Sequence, residues 1–421
     1  MKKLALAAIA LSIFATVSKA EVNFDNGKAI NLGNEITKLD LSIPASEATA
    51  DKAARPDKEW TIMVFVNGKN NLEKYAFMNI QQMEKIGSSD KVNIVVELGR
   101  MNNYDHSDGT WKGTRRYLIK KGSKPKGIFS PVVQDMGKVD MGNYQSVIDF
   151  GNWAKKTYPA KHTMMIIWNH GAGWIKGAPS ENFVTKGISY DDETNNHINT
   201  PQMGQILKAI GGVDVYGSDA CLMQMAEVDY EIKDSVPFIV GSEETEAGDG
   251  YTYDTFLGPL VQNPSMTPEA LAADAVDAYT AHYTPNNEAA TQSYVRSSAL
   301  PGFLAASNAF ASALMQANEK DVVKTAMGSA QSYAYPENKD LYNFTELVVK
   351  ATANSDVKAK GNALMSYISD TLVGDNKISG DYSNSHGIAV YLPGAAAPAA
   401  YADLVWAKVS NWDDLIAWLA Q

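Results

Sequence analysis

The 421-residue chain has one cysteine, Cys221, so no disulfide can form within it. It has no basic run, and 48 acidic against 37 basic side chains give a net charge of −11. Such a surface repels polyanions, which excludes nucleic acid as a partner. Beyond the first twenty residues, no apolar run reaches the roughly 20 residues that span a bilayer. With 45 % hydrophobic residues, the composition predicts a globular protein with a sizeable core.

Several catalytic motifs are also missing. The sequence has no G-x-S-x-G nucleophile elbow, no H-E-x-x-H zinc motif and no Walker-type glycine loop. A single cysteine rules out a Cys-rich zinc cluster. These absences disfavour serine-hydrolase, zinc-peptidase and P-loop chemistry. The lone thiol of Cys221 is then either a small, buried hydrophobic side chain or a nucleophile.

The N-terminal segment has the pattern of an export signal. A basic start, an apolar stretch over residues 4–17 and small residues at Ser18 and Ala20 predict a signal peptide that is cleaved after Ala20. A membrane anchor is the alternative, but the apolar run of about 14 residues is too short to span a bilayer. We therefore expect a secreted or periplasmic monomer without a membrane segment, beginning with a polar leader or pro-segment over residues 21–57.

From Trp60 onward the chain alternates β-rich runs with helical patterns, which is typical of an α/β fold whose mostly parallel central sheet has helices on both faces. We predict this core over residues 58–260 and a mainly helical C-terminal lobe over 261–421. The predicted strands are 61–66, 92–98, 163–169, 213–219, 237–242 and 387–393, and the predicted helices are 70–86, 145–157, one capped by Thr200, one from about 222 and one from Thr267-Pro268-Glu269.

Two predicted strands end in residues suited to nucleophilic catalysis. His170 follows the strand that ends near Trp168, and Cys221 follows the strand that ends near Asp219, just before a helical pattern expected to stabilise a thiolate. If the strands are neighbours, both side chains lie at the same sheet edge and form a Cys/His acyl-transfer site. The backbone N–H groups of Gly171 and Cys221 are the candidate oxyanion donors. The sequence indicates no third orienting residue.

These motifs resemble a known family. The segments HGAGW, SDACLMQMAEVDYEI and VGSEETEAGDGYTY, with the opening WTIMVFVNGKNNLEK, are similar in order and spacing to the clostripain family of the caspase-like clan. The resemblance covers residues 58–260 well and the C-terminal lobe weakly. It implies a caspase-like fold, cysteine endopeptidase activity and a catalytic dyad of His170 and Cys221.

The resemblance also implies a preference for basic substrates. Asp219 stands two residues before Cys221, where the family places an acidic residue beneath the primary specificity pocket, which implies cleavage after Arg or Lys in protein or peptide substrates. Independently, a partly desolvated carboxylate recognises a guanidinium through a charge-assisted pair. Asp249 is the second candidate for this pocket. The alternative for Asp219 is an acidic residue that interacts favourably with a helix N-terminus.

Two further properties follow from the resemblance alone. It implies self-processing between the dyad residues, for which Lys186 is the first candidate site and Lys176 the second. It also implies stimulation by calcium, although no cofactor is needed for the chemistry itself. The metal site is unknown, and the candidate ligands are Asp191, Asp192 and Glu193, or Glu243, Glu244 and Glu246. The spacing of neither group fits a known calcium loop, so solvated acidic loops are the favoured interpretation.

Some features leave alternatives open. The chain departs from the family pattern at Lys69, where Asp is usual, and near Ala247 and Tyr251, where Pro and Trp are usual. His386 precedes a predicted strand and therefore lies at the wrong end of it to join the dyad. An exported binding or adhesion protein on a caspase-like scaffold is one alternative function. A transpeptidase that uses the same dyad is another.

Overall fold

The computed structural model of the protein describes residues 58–101, 104–174 and 187–421. The predicted signal peptide (1–20), the leader (21–57) and the candidate processing sites Lys176 and Lys186 lie outside these ranges.

The described strands are, in chain order, β1 (Lys58–Gly68), β2 (Val92–Arg100), β3 (Gly113–Leu118), β4 (Val132–Gly137), β5 (Ala160–Trp168), β6 (Ile188–Asp191), β7 (Asn196–Ile198), β8 (Val215–Asp219), β9 (Phe238–Gly241), β10 (Ala290–Arg296), β11 (Asn338–Asp340), β12 (Val373–Ser379) and β13 (Ala389–Tyr391). The described helices are α1 (Glu73–Ile86), α2 (Tyr144–Thr157), α3 (Thr200–Ala209), α4 (Ala226–Ile232), α5 (Tyr253–Gln262), α6 (Pro268–Tyr283), α7 (Leu300–Ala317), α8 (Lys320–Ser329), α9 (Leu341–Ala351), α10 (Ser355–Tyr367), α11 (Val405–Val409) and α12 (Trp412–Ala420).

Nine strands form one sheet in the order β12-β10-β9-β8-β5-β1-β2-β3-β4. Its centre, β9-β8-β5-β1-β2, is parallel throughout, whereas the flanking strands pair in antiparallel fashion. The parallel centre places the carboxyl ends of β1, β5 and β8 side by side at one edge of the sheet.

Helices cover both faces of this sheet. Along β1, Ile62, Val64 and Val66 pack into a core with α1, α5 and α6, whereas Met63 and Phe65 pack into a second core with α2, α3 and α7. Alternate residues of a strand point to opposite faces, so a strand that is buried on both sides needs an apolar residue at every position. The uninterrupted apolar run of β1 meets that need, and the predicted α/β class with a mostly parallel sheet and helices on both faces is confirmed.

The flanking strands were not predicted because their sequences carry no apolar alternation. In β3, Arg116 is buried and its guanidinium pairs with Glu97 of β2 at 2.6 Å. Strand β10 reads ATQSYVR, and its polar side chains are buried beneath neighbouring elements. Because β10 and β12 belong to residues 261–421, the predicted C-terminal lobe contributes two strands to the main sheet, as well as most of the helices. The boundary near residue 260 stays a prediction.

Two local predictions were wrong. The helix predicted to be capped by Thr200 is capped by Asn199, whose side chain accepts from the Gln202 N–H while the Gln202 side chain accepts from the Asn199 N–H. The segment Ser297–Ala317 is long and apolar enough, by length and composition, to cross a membrane, contrary to the prediction that no later run qualifies. Its apolar side chains include Phe303 and Phe310, which are fully buried in the protein core.

Candidate active site

The ends of β5 and β8 bring the two predicted catalytic residues together. The strands are parallel neighbours, with Trp168 opposite Asp219, and the Asn169 N–H donates to the Asp219 carbonyl at 3.1 Å. The predicted adjacency of the two strands is therefore confirmed. His170 and Cys221 leave the sheet at the same edge, within two residues of this contact.

Close backbone packing holds the loop of His170 against Cys221. A Cβ atom added to Gly171 would lie 2.3 Å from the Cys221 carbonyl oxygen and 3.1 Å from the Cys221 nitrogen. The loop is fixed on its other side, where the Ala172 N–H donates to the Gly187 carbonyl at 2.9 Å. Glycine at 171 is therefore a requirement of the close approach between the two loops.

This contact predicts the effect of Gly171→Ala. The new methyl group must push the loops apart, so the Cys221 thiol loses backbone hydrogen-bond donors. We expect its alkylation by iodoacetamide to slow by roughly tenfold, because the thiolate is the nucleophile. Alkylation rates measured against pH test this. Gly394→Ala is the matched control because its Cβ would meet no atom within 4 Å. Equal rates in the two variants would contradict the proposed contact.

The imidazole of His170 has a partner that the sequence did not reveal. Its Nε2 lies 2.7 Å from Oδ1 of Asn71, a residue just beyond the end of β1. An amide oxygen only accepts, so this contact puts a proton on Nε2 and leaves Nδ1 as the basic nitrogen of the neutral ring. The available signal was the group of asparagines following β1, a strand whose carboxyl end lies beside that of β5.

The thiol of Cys221 is partly exposed and surrounded by backbone donors. Sγ accepts from the Glu246 N–H at 3.3 Å, and the N–H groups of Gly171 and Cys221 also favour its ionised form. Burial outweighs these donors and raises the pKa of the Cys221 thiol, with a smaller contribution from the charge of Glu244. The predicted stabilisation by a helix N-terminus was wrong, because α4 begins only at Ala226.

Asp219, the last residue of β8, stands two residues before Cys221 and carries a buried carboxyl group. It is 4 % exposed. Its Oδ1 accepts from the Tyr251 N–H at 3.1 Å and its Oδ2 from the Tyr253 hydroxyl at 2.7 Å. Burial raises the pKa of Asp219 to about 7. A Cβ at Gly250 would lie 2.5 Å from Oδ1, so the loop before α5 closes tightly over this carboxyl group.

Asp249 lies in the same loop but has a different environment. Its carboxylate is half exposed and lies 3.5 Å from Nε2 of His282 on α6. Its backbone carbonyl accepts from the Asn79 side chain at 2.9 Å. The structure therefore gives the two predicted substrate-binding carboxylates separate partners, tyrosines for Asp219 and a histidine for Asp249.

Glu246 is an acidic residue of this site that the sequence assigned only to a calcium cluster. Both oxygens of its carboxyl group are buried. The group lies near the carboxyl group of Asp219. Burial, and then the charge of Asp219, raises the pKa of Glu246. One residue thus contacts the thiol through its backbone and places its carboxyl group near that of Asp219.

The two acidic clusters proposed as calcium ligands differ in exposure: Asp192 and Glu193 are exposed, as expected for a solvated loop, whereas Glu243 and Glu244 are buried, so the prediction was wrong for the second cluster. Asp191 is buried, and its carboxylate and that of Glu193 lie 3.6 Å and 2.7 Å from the ammonium of buried Lys69. Glu243 and Glu244 are buried and accept hydrogen bonds from loops near the C-terminus. Across residues 58–101, 104–174 and 187–421, no group of three His, Cys, Asp or Glu side chains is arranged to hold a metal ion.

A cavity of about 300 Å³ lies beside the imidazole, lined by Asn70, Asn71, His170, Gly171, Ala172, Tyr190, Asp192 and Tyr335. Larger cavities of about 440 and 580 Å³ include residues that precede β8, at the opposite end of the strands. Ligands of open α/β sheets bind at the carboxyl ends of the strands, which favours the smaller cavity as the substrate site.

Comparison with known proteins places this site in a family. The model of the clostripain family matches residues 64–417. Clostripain of Hathewaya histolytica is 27 % identical over 256 residues, which cover 55 % of this chain and 48 % of that protein. The chain therefore spans about half the length of this curated relative.

Solved structures share the fold. A secreted C11 cysteine protease from Bacteroides thetaiotaomicron, in complex with an irreversible peptide inhibitor, is 17 % identical and superposes with a TM-score of 0.64 over 85 % of this chain and 100 % of that chain. An inactive zymogen C11 protease from Parabacteroides distasonis is 19 % identical and superposes with a TM-score of 0.65 over 84 % of this chain and 99 % of that chain. The fold is the caspase-like fold implied by the sequence, and the chain belongs to the clostripain family of cysteine peptidases.

Proposed function

We propose that the protein is an exported cysteine endopeptidase that hydrolyses peptide bonds after Arg or Lys, with Cys221 as nucleophile and His170 as general acid and base. The observation that carries this proposal is the meeting of the two loops beyond the parallel strands β5 and β8, where Gly171 packs on Cys221. This edge of the sheet is the one at which α/β enzymes bind substrates.

The residues suggest the order of events. His170 accepts the thiol proton, because burial raises the pKa of Cys221 and the thiol does not ionise readily by itself. The thiolate attacks the scissile carbonyl, and the N–H groups of Gly171 and Cys221 stabilise the developing oxyanion. His170 then protonates the departing amine, which leaves a thioester on Cys221. Water, deprotonated by His170, hydrolyses the thioester and restores the thiol.

Asn71 acts in this scheme as a positioning residue for the imidazole. Asn71→Ala removes the acceptor 2.7 Å from Nε2. We expect kcat to fall by about 10- to 100-fold with KM nearly unchanged, because the ring loses its orientation while substrate contacts persist. Asn71→Asp keeps an oxygen acceptor and should therefore retain most of the wild-type kcat. Steady-state kinetics of both variants test this, and an equal loss in both, or a change in KM alone, would contradict a positioning role.

Export and processing belong to the same proposal. The signal-peptide pattern of residues 1–20 and the secreted relative of known structure support export. Self-cleavage at Lys186 or Lys176 is supported by the family resemblance and by the existence of a zymogen among the relatives. Calcium stimulation rests on the resemblance alone, and the oxygens of Asp191 and Glu193 already contact Lys69.

We further propose that the protein acts as a monomer on proteins or peptides that contain basic residues.

The test is hydrolysis of matched fluorogenic peptides that end in Arg, Lys, Asp or Leu, by the protein that begins at Glu21, with and without calcium and prior thiol alkylation. We expect alkylation-sensitive cleavage after Arg and Lys only. Cleavage after another residue would contradict the basic preference but not the dyad. Products ligated to an added amine would indicate transpeptidation. No cleavage, even after proteolytic nicking near Lys186, would favour the binding or adhesion alternative.

A further inference from the structure

A buried lysine that the catalytic scheme leaves unused lies just beyond the end of β1. The side chain of Lys69 is fully buried. Its ammonium donates to Oε2 of Glu193 at 2.7 Å and to the carbonyl of Val139, and it lies 3.6 Å from Oδ2 of Asp191. The three N–H donors of an ammonium group match these three oxygens in number. A buried ion pair adds little net stability over apolar packing, so this arrangement calls for an explanation other than stability.

The partners of Lys69 belong to two segments beside β1. Val139 lies between β4 and α2, whereas Asp191 and Glu193 lie in the hairpin that β6 and β7 form. The backbone of Lys69 bonds to the same hairpin, because its carbonyl accepts from the Asp192 N–H at 2.9 Å. Lys69 therefore ties the β6–β7 hairpin to the carboxyl end of β1 through both its side chain and its backbone.

Strand β6 of this hairpin holds the backbone of the His170 loop. The Ser189 N–H donates to the His170 carbonyl at 3.2 Å. The next residue of the strand does the same one position earlier in the loop, where the Tyr190 N–H donates to Oδ1 of Asn169 at 2.6 Å. The position of β6 therefore sets the position of the backbone that carries the imidazole.

The segment that follows β1 holds the imidazole ring itself. Asn71, two residues after Lys69, contacts Nε2 of His170 at 2.7 Å through its side-chain oxygen. Its neighbour Asn70 donates to the carbonyl of Tyr190 in β6 at 2.8 Å. The backbone and the ring of His170 are thus held by different elements, and the ring keeps its direction only while β6 and the end of β1 keep their relative position. The ammonium of Lys69 supplies a charged connection between the two.

We propose that Lys69 is a positioning residue for His170: its ammonium is an internal cation that holds the β6–β7 hairpin against β1 and so keeps the imidazole aimed at Cys221. This inference rests on the proposed function, in which His170 is the general base. Without the ammonium, two carboxylates and a carbonyl oxygen would face one another with no positive charge between them, and the hairpin would move away from β1. The ring would then lose its direction, although Lys69 reacts with nothing itself.

Steady-state kinetics of Lys69→Met on a peptide ending in Arg test this role, because methionine is apolar and carries no charge. We expect kcat to fall about 30-fold with KM within about threefold, since the ring loses its orientation while substrate contacts persist. Lys69→Arg keeps the charge and several donors and should retain kcat within about fivefold.

A double variant shows whether the effect passes through the imidazole. In Asn71→Ala the ring has already lost its acceptor, so adding Lys69→Met should lower kcat only about threefold further. A loss that multiplies in full in the double variant, or a change in KM alone in Lys69→Met, would overturn the positioning role.

Lys155→Met is the matched control. The ammonium of Lys155 also donates to backbone carbonyls, those of Ile210 at 3.0 Å and Gly212, but before β8 at the opposite end of the strands. Its kcat should stay within about threefold of the wild type. Glu193→Ala replaces Lys69→Met if that variant folds poorly, because the Glu193 side chain is 28 % exposed. We expect its kcat to fall about tenfold at constant KM, and an unchanged kcat would contradict the proposal.

The tautomer of His170 gives a readout that needs no turnover. Long-range ¹H–¹⁵N correlation spectra of ¹⁵N-histidine-labelled protein, assigned with His170→Asn, report which ring nitrogen carries the proton. At pH 8 we expect the proton on Nε2 in the wild type and in Lys69→Arg. In Lys69→Met we expect a mixture of both tautomers, because the ring no longer faces the side-chain oxygen of Asn71.

The outcomes separate the two proposals. If the wild type cleaves no peptide while Lys69→Met changes the tautomer, the proposed function is wrong and the positioning of His170 by Lys69 is supported. If the wild type cleaves after Arg and Lys69→Met keeps both kcat and the tautomer, the inference is overturned and the proposed function stands. A lower kcat in Lys69→Met with the wild-type tautomer would indicate general damage and would also overturn the inference.

Discussion

Replacement of Cys221 by alanine is expected to lower kcat for peptide hydrolysis by at least about 10⁴-fold, because no other group of the site can form the acyl-enzyme. The chain has no second cysteine to substitute for it. The thiol packs among backbone groups without a covalent or ion-pair role in the fold, so the variant should unfold at nearly the wild-type temperature.

Steady-state rates and thermal unfolding of the same preparation provide the measurement. Ser218→Ala is a suitable control, since it removes a small polar group from β8, three residues before Cys221, and the Ser218 Oγ donates to the Tyr216 hydroxyl at 3.1 Å. It should retain activity within a few-fold. Turnover by Cys221→Ala at more than about a hundredth of the wild-type rate would contradict nucleophilic catalysis by the thiol.

The second large effect is expected from Asp219→Asn. The Asn side chain keeps an oxygen for the Tyr251 N–H but removes the negative charge, so the pocket loses its attraction for a cation. We expect kcat/KM for peptides ending in Arg or Lys to fall by about 10²- to 10³-fold, mostly through a higher KM. For a matched peptide ending in citrulline, the neutral isostere of Arg, we expect kcat/KM to change little.

Kinetics on matched Arg, Lys and citrulline peptides distinguish this effect from general damage. Asp214→Asn is the control, because Asp214 precedes β8 at its opposite end and bonds there to the Thr163 N–H at 2.7 Å. An unchanged Arg/citrulline ratio in Asp219→Asn, or an equal loss in Asp214→Asn, would contradict a specificity role for Asp219.

The central strands, and the placement of His170 and Cys221 at one edge of the sheet, were predictable because their signals are local. Strands β1 and β5 are buried on both faces and contain apolar runs, and a residue that follows a central parallel strand lies at the carboxyl edge of the sheet. That reasoning was sufficient to place His170 and Cys221 together. The flanking strands gave no such signal, because side chains such as Arg116 are buried by an ion pair with Glu97 rather than by apolar packing.

The remaining features of the site depend on contacts between residues distant in sequence. Asn71 meets His170 across 99 positions, and a run of asparagines does not by itself reveal which one reaches the imidazole. Glu246 was grouped with its acidic neighbours because adjacent residues in a loop appear equivalent in sequence. In the structure, Glu243 and Glu244 bind the C-terminal loops while Glu246 turns toward Asp219. The raised pKa of Cys221 follows from burial, which the strand-to-helix pattern did not predict.

Covalent trapping tests the catalytic role of Cys221 most directly. The protein that begins at Glu21 is treated with a peptidyl acyloxymethyl ketone ending in Lys, and in parallel with one ending in norleucine, and the modified residue is located by mass spectrometry while residual hydrolysis is measured. We expect one adduct, on Cys221, forming faster with the Lys reagent, and hydrolysis that falls in proportion to the labelled fraction. Hydrolysis of Arg or Lys peptides that persists after Cys221 is fully labelled would contradict its role as the nucleophile.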